Sequence, residues 1–137
     1  MLDKKNFYIN GQWVSPIEPR NYKVIDPSSE EPCAEISLGG KKDVDKAVSA
    51  AKKAFESWAF TKKEERLELL EKLYVIYKKR WAEMAKLISL EMGAPIKFST
   101  EMQAATGAGH IKSFKQILKD FKFERDLGEE KNNQKLL

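Results

Sequence analysis

Cys33 is the one thiol and His110 the one imidazole in the chain, so candidate nucleophiles and general bases are few. A reactive thiolate needs a nearby cation, imidazole or helix N-terminus to depress its pKa. Cys33 instead lies between Pro32 and Ala34 in a stretch that reads as a strand, where it serves as a small apolar residue. A lone cysteine also excludes an internal disulfide, and a lone histidine excludes a multi-histidine zinc site. His110 follows Gly109 on a helical stretch with no carboxylate three or four positions away, which reads as a surface or capping histidine. Gly107-Ala108-Gly109 opens like a dinucleotide fingerprint, but Lys112 occupies the third glycine's place. That segment is also helical, where a fingerprint joins a strand to a helix. Glu64, Glu65, Glu68 and Glu71 have Lys and Arg partners at helical spacing and form a solvated face. An acid–base pair needs a cleft or desolvation, and nothing in this pattern supplies either. Residue chemistry alone assigns no active site and no catalytic residue.

The elements that would have to carry a site are more informative. The chain has 137 residues, 42% hydrophobic and 34% charged, which suits one domain of ordinary size. No apolar run approaches the ~20 residues of a membrane span. The start, Met-Leu-Asp-Lys-Lys-Asn-Phe, lacks an apolar signal core, so a cytoplasmic protein without membrane partners is expected. Twenty-five basic residues against 21 acidic leave a net charge of +4, with the signs interleaved as in Lys62-Lys63-Glu64-Glu65-Arg66. Nucleic-acid binding needs cations clustered on one face, so no nucleic-acid partner is expected.

Residues 1–40 read as β and the following eighty as α. Asn10-Gly11 between Phe7-Tyr8-Ile9 and Gln12-Trp13-Val14 is a hairpin signal, because both turn positions favour φ > 0. Tyr22–Ile25 and Cys33–Ser37 form a second antiparallel pair about the turn Asp26-Pro27-Ser28-Ser29. Four short strands make an apron that must lie against something else. Asp43 is expected to cap a helix whose stripe is Val44, Ala47, Val48, Ala51, Phe55 and Trp58. Thr61 and Glu64 are expected to form a capping box for a second helix that runs to Met92 and breaks near Lys79-Arg80-Trp81. Trp58, Tyr74, Tyr77 and Trp81 recur at core spacing. Gly93 suits a left-handed terminator, and Pro95 can open a third helix ending near Phe121. Within that helix Gly107 and Gly109 would let another backbone approach. The predicted fold class is α/β, with amino-terminal β-hairpins followed by three long helices. The expected divisions are a hairpin region at 1–40, a helical region at 41–121 and a polar, disordered tail at 122–137.

Taken in order, Tyr8-Ile9-Asn10-Gly11-Gln12-Trp13-Val14, Val24-Ile25-Asp26-Pro27 and the run from Asp43 to Trp58 resemble the amino-terminal end of the aldehyde dehydrogenase superfamily. The series continues with Glu65-Arg66 and with Leu87-Ile88-Ser89-Leu90-Glu91-Met92-Gly93-Ala94-Pro95, so that the resemblance covers residues 7–120. Ala94 departs from the lysine common there, and Ser29-Glu30-Glu31 from the usual Thr-Gly-Glu.

The resemblance implies a partial piece of the aldehyde dehydrogenase fold. The complete family enzymes oxidise aldehydes to carboxylic acids with NAD or NADP, using a cysteine, a glutamate and an asparagine that all lie downstream of the matched region. The chain is therefore expected to be an amino-terminal fragment, inactive by itself and holding no dinucleotide, with an aldehyde as substrate only in the complete enzyme. A shortened gene, a frameshift and a cut coding sequence are all open as its origin. Family members are homo-oligomers, and self-association or aggregation of the fragment is expected. The resemblance also implies a Na+ or K+ site, with the carbonyls of Val24 and Ile25 and the carboxylate of Glu91 as ligands; hard cations take such oxygen donors. Met102 and Thr106 are placed near the mouth of the substrate tunnel. A reading from a different class is a non-catalytic helical interaction module that docks on other subunits. Stripes such as Val48-Phe55-Trp58 and Leu73-Tyr77-Trp81 motivate it, since uncovered apolar faces seek partners.

Overall fold

Asn10 and Gly11 both adopt positive φ, 53° and 76°, and fold β2 (Phe7–Ile9) back on β3 (Gln12–Val14). The register pairs Tyr8 with Trp13, whose rings meet across the ribbon at 5.2 Å, tilted by 59°. A computed structural model describes residues 1–128; residues 129–137, part of the expected polar tail, lie outside the described residues. β4 (Asn21–Ile25) pairs antiparallel with β5 (Pro32–Ser37). The ladder shifts register between Val24 and Ile25, opposite Pro32, which has no N–H to contribute. The turn between them is fixed by Asp26, whose Oδ1 accepts from the Ser28 amide at 2.8 Å and from its hydroxyl at 2.7 Å.

Two hairpins were expected, and the sheet is larger by one strand. β1 (Leu2–Lys4) runs parallel to the far edge of β5, giving the order β1-β5-β4. Its three residues carry no apolar alternation, and it is held from outside, by ladder bonds and by Lys5 Nζ on Glu35 Oε2 at 3.1 Å.

The helices begin at residue 41. In α1 (Lys41–Trp58) the N-cap is Gly40 rather than Asp43. Asp43 stands in the first turn, buried, where its two oxygens accept from the amides of Gly40 and Ile17 at 2.9 Å each. Its carboxylate thus reaches back to the cap, as in one half of a capping box, and ties the incoming loop to the helix. The expected box at Thr61 does not form either. Lys62 precedes α2 (Lys63–Lys79) without a side-chain cap, because the Thr61 hydroxyl donates to the Trp58 carbonyl and accepts from Arg66 Nε, both at 2.7 Å.

The break falls where the sequence places it, at Arg80, between α2 and α3 (Trp81–Met92). Gly93 ends α3 at φ 70°. The expected third helix is divided into α4 (Ile96–Phe98), a π turn (Ser99–Gln103) and α5 (Ala104–Asp120). α2 and α5 lie side by side, and the buried apolar residues among those described are Ala85, Ala104 and Ala108. Small residues there let α3 and α5 approach closely. The large residues of the α1 stripe, Val44, Val48, Phe55 and Trp58, are exposed, so core spacing does not make Trp58 a core residue. Gly107 receives a side chain rather than a backbone: a Cβ there would stand 2.8 Å from Tyr77 Cζ, whereas Gly109 faces open space.

Candidate functional site

Two regions gather the residues that the sequence singles out. The first is the junction of the β4–β5 turn with the end of α3. Gly93 can close α3 against Pro27 only because it has no side chain; an added Cβ would stand 2.7 Å from Pro27 Cγ. That contact brings the segment carrying Val24 and Ile25 to the segment carrying Glu91. Glu91 is exposed in the last turn of α3, and the Val24 carbonyl accepts a long bond from Cys33 Sγ at 3.4 Å. Ser89 Oγ donates to the Ala94 carbonyl at 2.7 Å and holds the α3–α4 connection in place. The Ser28 amide and hydroxyl, as donors, hold the neighbouring Asp26 carboxyl below the usual carboxylate range.

The second region is the π turn. Ala104 N donates five residues back to the Ser99 carbonyl, the widened ladder of a π-helix. Carbonyls in and after this stretch accept from neighbouring helices: Thr100 from Trp81 Nε1 at 3.0 Å, and Ala104 from Tyr77 Oη at 2.8 Å. Ser99 is fully buried, and its hydroxyl donates to Gln103 Oε1 at 3.0 Å. Met102 and Thr106 lie together on the outer side, both exposed, with Thr106 Oγ1 donating to the Met102 carbonyl at 2.9 Å. By spacing alone Tyr77 and Trp81 read as packing residues. Their polar tips, four residues apart across the break at Arg80, are the sequence signal that points beyond packing, since a buried phenol or indole needs a partner.

The remaining candidates stay apart from both regions. Cys33 is half-buried in β5 with no imidazole on its sulfur, and His110 is exposed on α5. No group of three or more His, Cys, Asp or Glu side chains suited to a metal occurs among the described residues. Gly107-Ala108-Gly109 is wholly helical, so these residues offer no glycine-rich strand-to-helix turn and do not fit a dinucleotide. No described helix is long and apolar enough to cross a membrane.

The aldehyde dehydrogenase family model matches residues 13–136. The chain belongs to the aldehyde dehydrogenase family. It is 44% identical to a 3-succinoylsemialdehyde-pyridine dehydrogenase of a Pseudomonas species, over 93% of this chain and 27% of that protein. Among solved structures, an aldehyde dehydrogenase from Bartonella henselae superposes with a TM-score of 0.90 at 53% identity, covering 94% of this chain and 27% of that one. A variant of aldehyde dehydrogenase C from Pseudomonas syringae, solved with NAD+ and octanal, gives 0.87 at 35% identity, over 90% and 26%. The chain thus corresponds to the amino-terminal region of the aldehyde dehydrogenase fold and spans about 27% of the length of these relatives. Both candidate regions belong to that aldehyde dehydrogenase segment, since the family match contains every residue named in them.

Proposed function

We propose that this chain is the amino-terminal scaffold of an enzyme that oxidises an aldehyde to a carboxylic acid with NAD+ or NADP+, and that it is inactive by itself. The observation that carries this reading is the superposition on the Bartonella henselae enzyme, close over 94% of this chain and limited to 27% of that one. The one thiol, Cys33, sits in a strand with its sulfur on a backbone carbonyl, and Gly107-Ala108-Gly109 is wholly helical. In the complete enzyme, Val24, Ile25 and Glu91 would hold Na+ or K+, tying the strand turn to α3. Met102 and Thr106 would flank the passage to the aldehyde. The working divisions are the hairpin region 1–40, the helical region 41–121 and the tail 122–137, in a cytoplasmic homo-oligomer.

The test is aldehyde-dependent reduction of NAD+ or NADP+ by the purified chain. No turnover above a heat-denatured control is expected; clear turnover would overturn the reading. The cation assignment has its own measurement. Replacing Na+ or K+ by tetramethylammonium should lower the melting temperature of the chain, and Glu91→Gln should abolish that difference.

A second reading, a non-catalytic module that docks on other subunits, is favoured by the exposed apolar faces of the helices. Leu73, Ile76, Tyr77, Met84 and Leu87 line a groove of about 160 Å³ between α2 and α3, with the Arg80–Glu83 ion pair at its rim. In the scaffold reading the same faces are covered by the remainder of the enzyme.

A further inference from the structure

We propose that Tyr77 and Trp81 are positioning residues that hold the π turn at Ser99–Gln103 and so set the direction in which Met102 is presented relative to α5. The functional meaning of this clamp rests on the placement of Met102 and Thr106 beside the aldehyde passage; the clamp itself stands on geometry alone.

A π turn is disfavoured against a regular α-helix and persists only where its surroundings hold it. Here the surroundings are specific. The Trp81 indole donates to the Thr100 carbonyl inside the turn, and the Tyr77 phenol donates to the Ala104 carbonyl just after it. The two donors come from successive helices across the break at Arg80, and their rings meet edge to face at 6.2 Å. From within, the buried Ser99 hydroxyl bonds Gln103, and the Thr100 hydroxyl donates to the Ile96 carbonyl at 2.7 Å.

Gly107 completes the arrangement. The Tyr77 ring lies so close over it that a methyl group there would collide with both the phenol oxygen and Cζ. Glycine in the middle of a helix is unfavourable against alanine. The space it leaves is the space the phenol needs to reach Ala104. This gives the mid-helix glycine a role that helix propensity opposes.

The consequence is angular. A π turn holds one residue more than the α-turn it replaces, which rotates the helical segment before it against the segment after it by roughly 100°. Ser99 at the start of the turn and Ala104 and Ala108 on α5 are all buried, so the offset is taken up between Ser99 and Ala104, in the stretch that carries Met102. Loss of either donor would free a carbonyl and favour the regular helix, turning Met102 away from its present direction.

The test uses this chain without aldehyde or dinucleotide, so a failed clamp and a failed assignment of the aldehyde passage are distinguishable. Tyr77→Phe and Trp81→Phe each remove one donor and keep an aromatic ring. Each is expected to speed amide hydrogen exchange across residues 99–108 roughly five- to tenfold, with the β2–β3 hairpin and α1 unchanged. With methyl-labelled methionine, the Met102 resonance is expected to shift in both variants while Met1 does not. Gly107→Ala is expected to reproduce both effects. Combined with Tyr77→Phe it should cost less than the sum, because the closest clash is with the oxygen that Tyr77→Phe removes. Where Gly107→Ala does not fold, the two phenylalanine variants carry the test. Unchanged exchange and an unmoved Met102 signal in both, or an equal rise in exchange across all helices, would overturn the proposal.

Discussion

Gly93 and Asp43 are the two residues on which the joints of this chain turn. Gly93 stands at φ 70° with Pro27 against it, so a side chain there meets both backbone strain and a collision. Gly93→Ala is expected to destabilise the chain by about 2 kcal/mol in urea unfolding. Its role as helix terminator is legible in the sequence; its contact with Pro27 is not, since nothing local brings residue 27 to residue 93. Asp43 is legible as a helix-start residue but not in its position, because the partner that fixes it, the Ile17 amide, lies 26 residues away. The amides of Gly40 and Ile17, with Lys46 and Arg20 adding smaller contributions, hold its carboxyl below the ordinary aspartate value. A carboxyl depressed in the folded state stabilises that state fully above the unfolded value, near pH 4, and ceases to do so as pH falls through the folded one. Melting curves from pH 7 down to pH 3 should therefore lose stability at the acid end, and Asp43→Asn should flatten that loss while lowering stability at pH 7.

Between elements, side chains decide what periodicity leaves open. Arg66 is the clearest case: its guanidinium donates to the carbonyls of Trp58 and Ala59, at 3.0 and 3.3 Å, and to the Thr61 hydroxyl. It also lies over the rings of Trp58 and Phe123, at 5.4 and 5.6 Å. One residue thus closes the end of α1, opens α2 and catches the segment that leaves α5. Arg66→Ala is expected to cost roughly 2 kcal/mol by thermal unfolding, and Arg66→Lys to recover less than half, because an ammonium lacks the planar fork. The break at Arg80 and the hairpin at Asn10-Gly11 are both readable, since each is written in local residue types and spacing. The π turn is not. Ser99–Gln103 carries no proline or glycine to mark it, and its stabilising donors sit 27 and 19 residues before the carbonyls they bond, on α2 and α3. For the same reason the strand at Leu2–Lys4 escapes pattern reading: only pairing with β5 makes it a strand. Of the candidate regions, the residues at the α3 end and on the third helix are singled out by the family series, whereas the contacts that Tyr77, Trp81 and Pro27 make to them become visible only in three dimensions.

At the scale of the whole molecule, few large apolar side chains find cover. Ala85, Ala104 and Ala108 are the buried apolar residues among those described, while Phe55, Phe60 and Phe114 are each more than 60% exposed. Exposed aromatics in such number mark a surface shaped to meet another. The aldehyde dehydrogenases that this chain matches are about three and a half times its length, and the scaffold reading assigns those faces to the rest of that fold. Size-exclusion chromatography with light scattering tests this most directly, on the purified chain over a range of concentrations. The account predicts self-association or aggregation that grows with concentration, accompanied by a broad thermal transition. A monodisperse monomer at every concentration, melting in one sharp cooperative step, would contradict it and favour a self-contained module.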